Sequence, residues 1–209
     1  MLAVCKTIVT QTKKNEHLER FAYIVRILTA PSILAVLLAT VLFLELEEIS
    51  FPDYLLLALF EGIIPILGYP ICFFVPTLHK KGRDFERKAA FLCSIVGYTG
   101  GVIYGLCAQK GTVLLTAYFS YFASVVILTV VNKVFRIKAS GHACGIFGPM
   151  LLTVLLCSPL FLIPCLCIAG LVVFSSLYLK RHTLSQLILG SLCAAVSVVV
   201  VWLIFKFLL

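Results

Sequence analysis

Seven long apolar runs restrict the fold of this chain more than any single motif does. They lie at about residues 21–44, 54–76, 89–109, 112–132, 142–158, 162–179 and 184–207. Crossing the hydrocarbon core of a bilayer takes roughly 20 apolar residues in a helix. A backbone in lipid must also satisfy its own hydrogen bonds, which leaves only helices and closed barrels. The runs are continuous and do not alternate, so a barrel is set aside. The expected fold is an all-α, polytopic helical membrane protein with six to seven transmembrane helices. Composition agrees: 62% of residues are hydrophobic, against roughly 45–50% in soluble domains. The fifth and sixth runs are short and meet at Ser158-Pro159 and Pro164, where a helix tends to break; merged, they reduce the count to six. The expected organisation is a polar N-terminal segment, 1–20, followed by one transmembrane domain, 21–209. Residues 1–20 show no apolar core followed by a small-residue cleavage site, so they do not read as a signal peptide.

The nine cysteines sit mostly inside apolar runs, where a thiol behaves as a small hydrophobe. Cys165-x-Cys167 lacks the spacing and the histidine partners of a zinc site. An odd cysteine count in a lipid setting predicts no disulfide framework. No metal site and no cofactor are expected.

Charge is distributed unevenly along this pattern. With seven spans, the N-terminal segment and residues 77–88, 133–141 and 180–183 share one side of the membrane. They contain Lys6, Lys13, Lys14, Arg20, Lys80, Lys81, Arg83, Arg87, Lys88, Lys133, Arg136, Lys138, Lys180 and Arg181, and Arg26 lies just inside the first span from the same end. Only Lys110 and Lys206 fall on the other side, together with the acidic stretch that carries Glu45, Glu47, Glu48 and Asp53. Loops rich in Lys and Arg face the cytoplasm, so the basic side is expected to be cytoplasmic.

Three polar clusters belong to that side: His79–Lys88, Asn132–His142 and Ser175–Gln186. Taken singly, each reads as an ordinary basic loop. Together they supply two histidines, several cations and a Ser140-Gly141 pair opening a helix, whose free N–H groups favour an anion. Arg and Lys clamp phosphate, and His transfers protons near neutral pH and can act as a nucleophile. The combination suits phosphoryl transfer from a membrane-resident substrate. Lys138 is two residues before Ser140; it either touches that phosphate or snorkels to the interface. Glu61, within the second run, is a functional candidate because ionisable groups are costly in a membrane. It lies only about two turns from the acidic stretch, so it is left outside the candidate site.

The order and spacing of these clusters resemble the type 2 phosphatidic acid phosphatase superfamily, which carries K-x6-R-P, P-S-G-H and S-R-x5-H-x3-D. Lys80 and Arg87 have the first spacing, with Lys88 in place of Pro. Ala139-Ser140-Gly141-His142 matches the second except for its Pro. Ser175-Ser176, His182 and Gln186 follow the third. The resemblance covers about residues 80–207 and looks like a divergent membrane-bound branch. It implies a helical bundle in which His182 attacks phosphorus to form a phosphohistidine and His142 protonates the leaving lipid oxygen. Lys80, Arg87, Ser140 and the Gly141 N–H would hold phosphate oxygens, and Gln186 would stand where an Asp orients the nucleophile. The implied partner is a phosphorylated phospholipid or polyprenyl lipid in the bilayer; no nucleic acid is expected.

Two positions depart from the pattern. Ser176 replaces a phosphate-binding Arg, and Gln186 replaces the Asp. Gln can fix an imidazole tautomer but cannot stabilise an imidazolium by charge. Arg181 and Lys180 are near in sequence to the missing charge but point differently from a helix. The alternative reading is accordingly a lipid-phosphate-binding or scaffold protein without turnover. A small transporter is a third reading, disfavoured because no inverted repeat is visible and the ionisable residues gather at one face.

Overall fold

The computed structural model describes residues 16–207, within which every regular element is helical and no strand occurs. The expectations for Lys6, Lys13, Lys14, Cys5 and the rest of residues 1–15 lie outside the described residues. Helix α1, Glu16–Leu28, and α2, Pro31–Glu45, form a pair bent by 52°. The bend falls directly before Pro31, whose ring cannot continue the preceding helix. Helix α3 runs over Phe51–Ile66 and includes a π-helical stretch at Ala58–Ile63. It meets α4, Gly68–Phe74, at a 43° bend. The short α5, Pro76–His79, leads into α6, Arg83–Cys107. Then follow α7, Thr112–Thr129, with a π turn at Val130–Val134; α8, Gly141–Leu156; α9, Leu162–Tyr178; and α10, Leu184–Phe207.

Among the described residues, four helical stretches are long and apolar enough to cross a membrane, or up to six if each bent pair counts as one span; α8 is a shorter apolar helix. Helices α8 and α9 are separate, divided by a 3-10 turn at Pro159–Phe161. The first span was expected to begin near residue 21, but α1 begins at Glu16 and carries the polar residues up to Arg20 into the helix. Helix α6 likewise extends into the basic loop, so Arg87 is helical.

The interior is built from narrow stripes. On α10, Leu187, Gly190, Cys193, Ala194, Ser197, Val198 and Val201 are buried, at the i, i+3, i+4 and i+7 spacing of one helix face. The opposite face exposes Ile188, Leu192, Val196, Val200 and Leu203. An all-apolar helix buried on one stripe and bare on the other fits a lipid surround, because water would penalise that face by roughly 25 cal/mol per Å2. Leu38, Leu42, Leu57, Tyr118, Leu152 and Val198 fill the main core.

The two ends of the bundle differ chemically. At one end Lys110, in the α6–α7 turn, pairs with Asp53 of α3 at 2.8 Å. Tyr104 donates to the same carboxylate at 3.0 Å, and Ser50 donates to it at 2.6 Å. The other end joins the starts of α8 and α10 with the end of α9 and Arg26 of α1, and it carries His142 and His182.

Candidate functional site

Residues Ser140 and Gln186 join two of the polar clusters through their backbones. The Ser140 N–H donates to the Gln186 carbonyl at 2.9 Å. Gly190, one turn further along α10, lies so close to the Ser140 carbonyl that a Cβ there would collide with backbone. Helix α10 can therefore approach the start of α8 only with glycine at this position. The stretch entering α8 is fixed from the other side by Asn132, whose side-chain oxygen accepts the Ala139 N–H at 3.0 Å.

Ser140 is the N-cap of α8. Its hydroxyl accepts the Ala143 N–H at 3.2 Å, as capping serines do. The residue is 2% exposed, so the hydroxyl expected to grip phosphate is committed to starting the helix. Helix starts leave their first N–H groups open; with Ala143 satisfied by Ser140, those of Gly141 and His142 remain for an anion. Gly141 itself is exposed.

At the start of α10, Thr183 and Gln186 form a capping box. The Gln186 N–H donates to the Thr183 hydroxyl at 3.3 Å, and the Thr183 N–H donates to Gln186 Oε1 at 3.4 Å. Only an oxygen can accept that N–H, which fixes the orientation of the carboxamide. The same Oε1 lies 3.3 Å from His182 Nδ1. As Oε1 only accepts, Nδ1 carries the proton, and the lone pair of His182 is left on Nε2.

His182 is half-buried in the loop between α9 and α10. Burial pushes its pKa below the usual histidine value, Gln186 raises it in part, and the positive charges of Arg26 and Arg87 lower it again. Arg26 and His182 both act electrostatically on His142 as well. His142 Nε2 is buried with no hydrogen-bond partner among the described residues. The structure thus brings together His142, His182, Gln186, Ser140, Gly141 and Arg87. Lys80 and Lys138 are exposed, and among the described residues no ion pair joins either to this group. An open cleft of about 400 Å3 runs over Leu177, Lys180, Arg181, His182, Thr183 and Gln186.

Arg26 was not singled out by sequence beyond its place in the charge count. It lies on α1, where its Nη1 donates to the Ser176 hydroxyl at 3.4 Å. Ser176 is fully buried. A guanidinium therefore reaches the position at which the third motif lacks its Arg. Arg181, adjacent to His182, turns away: it donates to the Tyr23 hydroxyl at 3.1 Å and lies over that ring, which ties the loop to α1. No group of three or more His, Cys, Asp or Glu side chains suited to a metal ion occurs among the described residues.

Comparisons of the chain with protein-family models, with curated proteins and with solved structures give no match.

Proposed function

We propose that this protein is an integral membrane phosphatase that hydrolyses a phosphomonoester or diphosphate of a phospholipid or polyprenyl lipid. The observation that carries the reading is the convergence of two histidines with 39 residues between them, both acted on by the Arg26 charge and His182 also by that of Arg87, at one end of an apolar bundle. His182 presents Nε2 as nucleophile because Gln186 holds the proton on Nδ1. Nε2 attacks phosphorus as the bond to the lipid oxygen breaks, and His142, protonated once the bound phosphate's negative charge offsets the Arg26 and His182 charges acting on it, gives that oxygen its proton. Neutral His142 then takes a proton from water, whose oxygen attacks the phosphohistidine. Phosphate leaves, and both rings return to their starting states. Arg26 and Arg87, with the open N–H groups of Gly141 and His142, offset the charge on the phosphoryl oxygens. Positioned proton transfer of this kind contributes about 10²–10⁴-fold.

The arrangement around the membrane belongs to the same proposal. Seven spans, in the helical bundle of the phosphatidic acid phosphatase superfamily, put the histidine end on the cytoplasmic side by charge bias. The lipid tails stay in the bilayer while the headgroup enters the cleft.

The test is an assay of purified protein in lipid bilayers against phosphatidate, phosphatidylglycerophosphate and polyprenyl diphosphates, with EDTA present. Phosphate release that disappears in His182→Ala is expected; full activity in that variant overturns the reading. A second reading has its own support. Gln186 is fully explained by the capping box, and it brings no charge to His182. Specific binding of these lipids without any phosphate release identifies a lipid-phosphate-binding protein instead.

A further inference from the structure

We infer that Glu61 forms a second site, inside the membrane and separate from the histidines, that binds a monovalent cation, with a proton as its occupant. Glu61 is 1% exposed, and both of its carboxyl oxygens lack a hydrogen-bond partner among the described residues. No ion pair to it occurs among those residues. It is placed by a π-helical stretch, Ala58–Ile63, a local departure from α-helix that is frequent at functional sites.

The surroundings are polar but carry no cation. Tyr98 on α6 and Tyr118 and Tyr121 on α7 all lie within the electrostatic reach of this carboxyl. The hydroxyls of Tyr118 and Tyr121 are buried and without hydrogen-bond partners among the described residues. On α6, Gly101 leaves room for the acid: its missing Cβ would sit 2.7 Å from Glu61 Oε1. On α2, the Ser32 carbonyl and the Val36 side chain pack against the neighbouring Gly62. No Lys, Arg or His faces the carboxyl from α2, α6 or α7 in these contacts.

An unpaired carboxylate enclosed in this way costs many kcal/mol, and ionisable groups within a bilayer keep a partner or a function. Charge arithmetic sets the occupant: one carboxylate takes one positive charge. A proton is held by the carboxyl itself, and the neutral acid that results is far cheaper to bury than the carboxylate. A metal ion would require several oxygens drawn to one point. The inference does not depend on phosphatase activity.

The experiment is infrared spectroscopy of the full-length protein in lipid bilayers at pH 7. A carbonyl band of a protonated carboxylic acid, shifted in D2O, is expected in the wild type and in His182→Ala, and lost in Glu61→Gln. Glu61→Asp, which keeps a carboxyl, shifts the band without removing it and serves if the Gln variant does not fold. Exchanging N-methylglucamine for Na+ at constant pH leaves the band unchanged. Absence of the band in the wild type overturns the inference, as does its persistence in a folded Glu61→Gln protein. Loss of the band on adding Na+ also overturns it, by identifying a metal ion as the occupant.

Discussion

The Arg26 guanidinium donates to the Ser176 hydroxyl at 3.4 Å, across 150 residues of chain. The two residues stand on α1 and α9, and the contact delivers to the histidine end a positive charge that the third motif does not encode. The proposed phosphatase therefore draws both of its phosphate-binding arginines, Arg26 and Arg87, from the N-terminal half of the chain and both of its histidines from the C-terminal half. In that proposal, residue 26 compensates for residue 176.

That compensation is testable by exchange. Arg26→Ser is expected to lower phosphate release by about 10- to 100-fold, since hydrogen bonds to charged groups are worth roughly 1.5–3 kcal/mol and each 1.36 kcal/mol is tenfold. Adding Ser176→Arg to that variant returns the charge from the other helix and is expected to recover a substantial part of the activity. A double variant no better than Arg26→Ser would show that Arg26 is needed for packing and not for its charge.

Gln186 has two tasks that substitutions can separate. Gln186→Ala removes the capping box, at a cost of about 1 kcal/mol by analogy with other caps, and also frees the His182 tautomer. Gln186→Glu retains the reach to the Thr183 N–H and adds the missing negative charge beside the imidazole. It is expected to raise kcat with little change in KM; the loss on removing an equivalent Asp, ~10⁴, is an upper bound to the gain. Thermal unfolding measures the first effect and steady-state kinetics the second. Equal turnover for Gln, Glu and Ala at this position would remove Gln186 from the mechanism.

The pH dependence follows from His182. Burial, Arg26 and Arg87 hold its pKa below the usual 6.5, against a smaller opposing effect from Gln186. The folded ring thus binds its proton more weakly than the unfolded chain does. The sign is then fixed: this contribution to stability is fully present above about pH 6.5 and is lost as pH falls through the folded value. For catalysis, the unprotonated nucleophile persists below pH 6.5, so the acid limb of the kcat/KM profile is displaced to lower pH. Arg26→Ser is expected to move that limb back upward. The checks are a pH–rate profile and an NMR titration of the ring; a titration above 6.5 in the wild type contradicts this account.

The helical class was legible in the sequence, because hydrophobic runs are a local property; so was the placing of His142 and His182 close to the starts of two helices. Ser140 as a helix start was equally local, although its burial shows a capping hydroxyl where a phosphate ligand was expected. The bends before Pro31 and at Gly68 were only partly legible, since a proline announces a kink but not its angle. Arg26 was out of reach. It lies 54 residues before Lys80, and within an apolar run it read as a topology charge. The packing of α1 against α9 gives it Ser176 as a partner. Lys80 shows the converse: the motif spacing is present, but the residue is exposed and no ion pair links it to the cluster among the described residues.

The junction at Gly190 decides whether the two histidines meet at all. Any Cβ at residue 190 runs into the Ser140 carbonyl, and neither backbone has a flexible end that can yield. Gly190→Val is expected to force α10 away from α8, at an overpacking cost on the order of 1–3 kcal/mol, and to break the Ser140–Gln186 hydrogen bond. His142 and His182 then separate, and activity falls far more than stability does. Gly170→Ala on exposed α9 is the matched control: a Cβ there meets nothing within 4 Å, and alanine favours the helix by up to about 1 kcal/mol. Thermal unfolding and phosphate release, measured on both variants, make the comparison. Unchanged activity in Gly190→Val would mean that the Ser140–Gln186 junction does not hold the site together.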